Sequence, residues 1–216
     1  MINRSYSDAN FDGGDADVNC ALGGAGVSGH QRRFMKQKNM ERDAMLSAVE
    51  EYGYALSAAP PELKDDEEVV MTAVASHGRA LGYASPRLRK RRDIVQIAAS
   101  NSRFGLKWAD EECTHDRTVV LHAVTSHGHA LEFAADELKD DEEIVLAAVK
   151  ADGNALQFAS QAMRAHRDVA LAAAVSNSGA VRWADASLLA DRDFILAALA
   201  VCPHALACTC PAIHLS

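Results

Sequence analysis

The chain has 216 residues, of which 49% are hydrophobic and only 6% aromatic, and it carries a formal net charge of −8. That apolar share can bury a continuous core, and the acidic balance disfavours a nucleic-acid phosphate backbone as partner. No apolar run approaches the roughly 20 residues that span a bilayer, and Met1–Asp12 lacks the apolar stretch of a secretory signal, so membrane insertion is not expected and the chain reads as soluble, intracellular and cytoplasmic by default. Cys20, Cys113, Cys202, Cys208 and Cys210 are odd in number and crowded at one end, which suits reduced thiols better than a disulfide framework.

Residues 1–40 read as an irregular glycine-rich and basic arm, flexible or ordered by a partner. Gly24-Ala25-Gly26-Val27-Ser28-Gly29 satisfies the G-x-G-x-x-G spacing, which cradles phosphate only where it joins a strand to a helix. The one candidate strand before it is Val18–Leu22, and no parallel sheet is predicted to receive that strand, so no dinucleotide or other cofactor is assigned. The next stretch, His30–Lys38, carries Arg32, Arg33, Lys36 and Lys38. It is a candidate nuclear-import or phosphate-contacting patch, and a solvated helix leading into the following segment accounts for it more simply.

From Glu41 onward the sequence repeats every 25 residues for seven copies without insertion or deletion. One column reads Tyr83, Trp108, Phe133, Phe158 and Trp183, with Ala58 and Cys208 at its ends. The column two residues earlier reads Leu56, Leu81, Leu106, Leu131, Leu156, Val181 and Leu206. Fixed-period self-similarity of this length is the mark of a stacked repeat array. The predicted fold is all-α, an α-solenoid of seven helix-turn-short-helix repeats over residues 41–216.

Within the second copy, Val69, Val70, Ala73 and Val74 form one stripe of an amphipathic helix. Asp65 or Asp66 is its expected cap, and Asp65 with Glu68 has capping-box spacing, as do Asp140 and Glu143. Gly53, Gly78, Gly128 and Gly153 fall where a left-handed residue would stop the helix. A shorter helix over Ala80–Ala84 should turn Leu81 and Ala84 inward, with the aromatic column closing the unit. A capping residue then starts one more tight turn, as in Ser85-Pro86, anchored by the column Leu63, Leu88, Cys113, Leu138, Met163, Leu188 and Ile213. A longer period of 75 residues overlies the short one: Lys64–Glu68 returns as Lys139–Glu143, and Trp108-Ala109-Asp110 as Trp183-Ala184-Asp185.

The fifth copy carries Asp141, Glu143, Val145, Ala148, Val149, Gly153, Ala155, Leu156, Phe158, Ala159 and Ser160 in register, and the second copy follows the same pattern. In these residues the chain resembles the domain of unknown function 4116 tandem helical repeat family, over about residues 41–215. The resemblance implies tandem helical repeats without assigned catalytic residues. Copies three and six depart from it, with Arg103 and Ser178 at the glycine position.

No Ser/His/Asp grouping, oxyanion-hole signature or Walker sequence stands out, so no enzyme is predicted. The reading is a non-catalytic helical-repeat scaffold that mediates protein–protein interaction or serves as a structural subunit of a larger assembly. Its partner would be a protein or peptide rather than nucleic acid. Candidate partner-binding residues sit around the turn after the long helix: His77, Arg79, Arg103, His127, His129 and Asn154. A row of carboxylates at the helix starts could attract calcium or a basic peptide, although capping alone explains most of it. The alternative is a zinc-binding module or enzyme built on Cys202, His204, Cys208, Cys210 and His214, soft ligands within a short span. Against it, Cys208 lies in the aromatic column and Cys210 in the capping column of Ser85.

Overall fold

The computed structural model describes residues 29–201. Every regular element among them is helical. Spatially the chain divides into Met1–Asn39 and Met40–Ser216. The described part of the first is the start of the helix Gly29–Glu51. That helix crosses residue 41 without interruption, because His30–Glu51 contains neither glycine nor proline to break it.

In the second unit each copy opens with a long helix. After Gly29–Glu51 these are Glu67–Ser76, Arg92–Asn101, Arg117–Ser126, Glu142–Ala151, Arg167–Ser176 and Arg192–Val201. Each packs against the next along the chain. The expected stripe is buried in full: Val69, Val70, Ala73 and Val74 in the second copy, and Ile144, Val145, Ala148 and Val149 in the fifth. No polar or charged residue is buried among the described residues, so the core is held by apolar burial.

The long helix ends at an extended residue, His77 at φ −143° and ψ 103°, whose N–H still bonds the Ala73 carbonyl at 2.8 Å. The shorter helix that follows is a 3-10 segment, Gly78–Tyr83 in the second copy. With three residues per turn, positions three apart eclipse, so Gly78, Leu81 and Ala84 share one edge, and all three are buried. A single helical turn completes the copy, Pro86–Arg89 here, capped by Ser85.

The glycines do a different job from the one their position suggests. None of Gly53, Gly78, Gly128 and Gly153 has a positive φ. A Cβ on any of them would approach closer than 3.0 Å to a backbone carbonyl of the following copy: Ala73, Ala98, Ala148 and Ala173 respectively. The glycine is therefore demanded by close contact between neighbours, with the 3-10 segment of one copy resting on the long helix of the next. Alanine stands at the receiving position in all seven copies, from Ala48 to Ala198.

A second link recurs at every described junction. The amides of Ser85, Asp110, Ala135, Ser160 and Asp185 donate to the carbonyls of Lys64, Arg89, Thr114, Lys139 and Arg164 at 2.9–3.1 Å. An amide before each single turn is thus tied to the end of the preceding one. Capping of the long helices also differs from the box spacing. Asp66 and Asp141 are the caps, while the Asp65 carboxylate accepts from Ser85 Oγ and Arg87 Nε and Asp140 accepts from Ser160 Oγ.

Gly128→Ala is expected to destabilise the protein by about 1–3 kcal/mol in urea unfolding, the cost of overpacking a tight contact. Gly82→Ala, whose new Cβ meets only the movable Trp108 ring, should cost about 1 kcal/mol or less.

Candidate functional site

The 3-10 segments carry the exposed aromatic residues Tyr83 and Trp108, and Tyr52 precedes the first of them. Because the edge Gly78, Leu81 and Ala84 turns inward, position 83 falls beside it, and Tyr83 and Trp108 are 42% and 40% exposed. In the column expected to close each unit, Phe133, Phe158 and Trp183 are half-buried and pack against the core, so of its rings only Tyr83 and Trp108 are open to solvent. The column of residue 79 meets it diagonally from the preceding copy: Tyr54 with Tyr83, Phe104 with Phe133 and His129 with Phe158, at ring-centroid distances of 6.5, 6.0 and 5.5 Å. Ring pairs thus join copy one to two, three to four and four to five, as a strip with gaps between.

Across the first three copies this strip opens into a groove of about 610 Å³. Tyr52, Tyr54, Tyr83, Phe104 and Trp108 supply its rings, with Arg79, Lys107 and Gly82 completing the lining. Gly82 lets the indole of Trp108 lie against the backbone, where a Cβ would stand 3.0 Å from the ring. The Arg79 and Arg103 guanidiniums lie over Phe104 at 4.0 and 4.5 Å from its centroid, and Lys107 Nζ stands 5.5 Å from that of Trp108.

Of the residues singled out by position, His77, Arg79 and Arg103 converge on this region. His77 also works within the stack: its Nδ1 accepts the Gly53 N–H at 3.2 Å, and its ring lies 5.4 and 5.1 Å from those of Tyr52 and Tyr54. His127 and His129 belong elsewhere. His127 Nε2 is 3.2 Å from the Ser100 carbonyl, and His129 Nδ1 is 2.8 Å from Asp152 Oδ2. Asn154 is held through its backbone, its N–H donating to Asp152 Oδ1 at 2.9 Å. The 75-residue period relates the two sets, since His127, His129 and Asn154 occupy the places of Tyr52, Tyr54 and Arg79.

The carboxylates at the helix starts are engaged with the neighbouring copy. Arg42 bonds Asp66 at 2.7 Å and also reaches Glu68. Arg117 repeats this with Asp141 at 3.1 Å and Glu143. Arg92 pairs with Asp116 at 2.7 Å, and Arg167 with Asp191 at 3.3 Å. In the second copy the charges exchange, with Glu67 pairing Arg91 at 2.9 Å, and in the fifth Glu142 and His166 fill the same columns. The capping carboxylates Asp66, Asp116, Asp141 and Asp191 are thus paired from copy to copy, while Glu142 and Asp168 of the same rim stay exposed.

Among the described residues no group of His, Cys, Asp and Glu side chains is arranged to hold a metal ion. Cys202, His204, Cys208, Cys210 and His214 lie outside the described residues, as do residues 24–28 of the glycine motif. Cys113 is buried in the column of Leu88, where loss of solvation pushes its thiol pKa up. No described helix is long and apolar enough to cross a membrane.

The model of the domain of unknown function (DUF4116) matches residues 41–89, 66–113 and 116–164. The chain belongs to this family. No curated protein and no solved structure matches it. Each DUF4116 match spans about two of the 25-residue copies, so the family unit contains one complete junction of the kind described above.

The Asp66 carboxylate is held below the usual range by its bond to Arg42, with the helix-start amides of Val69 and Glu68 adding to the effect. A depressed folded pKa contributes stability that is present above the unfolded value of about 3.9 and is lost as pH falls through the folded one. Asp66→Asn, which keeps a good cap but removes the charge, should cost about 0.5–1 kcal/mol at neutral pH. Urea unfolding across pH should show that difference vanishing below the folded pKa.

Proposed function

We propose that the chain is a non-catalytic α-solenoid of seven stacked copies that binds another protein or peptide along the face formed by its 3-10 segments, as a scaffold or as a structural subunit of a larger assembly. The observation that carries this reading is the set of ring pairs that cross three junctions, flanked by the exposed rings of Tyr52, Tyr83 and Trp108. Stacked repeats turn short units into an extended surface whose exposed positions vary without disturbing the core. Exposed tyrosine, tryptophan and arginine side chains are the types that dominate protein interfaces, since they offer large contact area at low entropic cost. The same groups are set on backbone linked by hydrogen bonds across every described junction, so little ordering is required on binding.

The test compares proteins captured by the full chain with those captured by two variants. Tyr83→Ser with Trp108→Ser removes the exposed rings, whereas Val175→Ser changes an exposed apolar side chain on a long helix. A partner lost about tenfold or more with the first, and retained with the second, supports the reading. Equal capture by all three contradicts it.

A further inference from the structure

We propose that the groove across the first three copies is a site for an acidic, extended polypeptide segment, whose carboxylates pair with Arg79 and Lys107 and whose apolar side chains lie against Tyr83 and Trp108. This rests on the scaffold reading above and gives it a partner chemistry and an address.

The distribution of paired and unpaired cations carries the inference. At the helix starts and single turns, Arg87, Arg91, Arg92, Arg117 and Arg167 pair with carboxylates, as does Arg42 within the first helix, while Arg89 and Arg164 have no ion pair among the described residues. On the groove, Arg79, Arg103 and Lys107 lie over rings with no carboxylate in ion-pair range among the described residues. An acidic chain has acids to spare, with 30 Asp and Glu against 22 Lys and Arg, yet none is placed here. A guanidinium beside a ring gives up none of its N–H donors to that contact. They remain for bidentate capture of a carboxylate.

The rings select the rest of the ligand. Tyr83, Trp108 and Tyr52 keep exposed faces on either side of the cations, so a segment alternating acidic and apolar side chains satisfies both. Helix spacing of about 10 Å per copy corresponds to about three residues of extended chain, so a segment of about nine residues covers the groove. Single-stranded nucleic acid also uses stacked rings and cations, but a polyanion following the face would meet the field of an acidic repeat unit. A short acidic segment meets chiefly the local cations.

The test uses the full chain and a fluorescein-labelled peptide of about nine residues repeating Glu-Phe-Ser, read by fluorescence polarisation. The same peptide with Gln for Glu and an oligothymidylate are the comparison probes. Trp183→Phe leaves Trp108 as the remaining reporter of the chain's two tryptophans, and its emission should change on binding. The acidic peptide is expected to bind about tenfold tighter than its Gln counterpart. Arg79→Gln with Lys107→Gln should remove about that factor, up to about fivefold for each exposed ion pair. Arg182→Gln, which changes the equivalent of Lys107 75 residues later, should bind as the parent does.

Equal affinity for both peptides, unchanged binding by the double variant, tighter binding of the oligothymidylate, or no binding of the acidic peptide at millimolar concentration would each overturn the proposal. Circular dichroism of the double variant separates lost binding from lost fold. A partner whose capture depends on Tyr83 and Trp108 but survives Arg79→Gln with Lys107→Gln would overturn the acidic chemistry while leaving the scaffold reading in place.

Discussion

The contact of a side-chain-free backbone position with the carbonyl of the next long helix sets the spacing on which the remaining structure depends. At Gly53, Gly78, Gly128 and Gly153 there is no room for a Cβ. The helices that meet there carry alanine at the receiving position and valine, isoleucine or alanine beside it, so the layer between copies is thin and densely packed. With that spacing established, an amide before each single turn reaches the end of the preceding turn, and Arg42, Arg92 and Arg117 each reach the capping aspartate of the next long helix. Neither link would form at a wider separation, because both run between groups fixed to short, rigid elements.

Copies three and six, which lack this glycine within the described residues, show what the contact does. In copy three, Arg103 stands in its place and the 3-10 segment shrinks to Leu106–Trp108. Gly105 there packs against Ala98 and Ala99 of its own copy instead. Copy six has Ser178 and retains its segment, with that residue half-exposed rather than buried. These positions are 75 residues apart, as are the paired arrangements of Arg42 with Asp66 and Arg117 with Asp141. The longer sequence period is therefore a period in junction type as well as in residue identity.

Much of the fold was legible because the buried stripe and the 25-residue register are spacing signals, and spacing survives without coordinates. Val69, Val70, Ala73 and Val74 face inward as their pattern requires. What the pattern could not show was which of two reasons makes a glycine necessary. A helix stop and a close approach both place glycine just beyond the last turn, and the backbone angles and the contacts to the Ala73, Ala98, Ala148 and Ala173 carbonyls decide for the second. The pattern places an aromatic at the end of each unit without fixing its depth: Phe133, Phe158 and Trp183 pack against the core, whereas Tyr83 and Trp108 are 42% and 40% exposed. For the same reason Arg79 and Arg103 were found by position, whereas Tyr52, Tyr54, Lys107 and Trp108 were not assigned to the face. Along the helix starts most arginines pair with the neighbouring copy, whereas over the rings of the groove Arg79, Arg103 and Lys107 have no ion pair among the described residues.

The central claim is that successive copies are locked in register, and the most direct measurement is native-state hydrogen exchange at the amides of Ser85, Asp110, Ala135, Ser160 and Asp185. Each donates to a carbonyl of the preceding copy, so slow exchange, approaching the protection of Val70 and Val145 inside the long helices, is the predicted result. Exchange at these amides at the rate of an unstructured peptide, with the long helices still protected, would contradict the account.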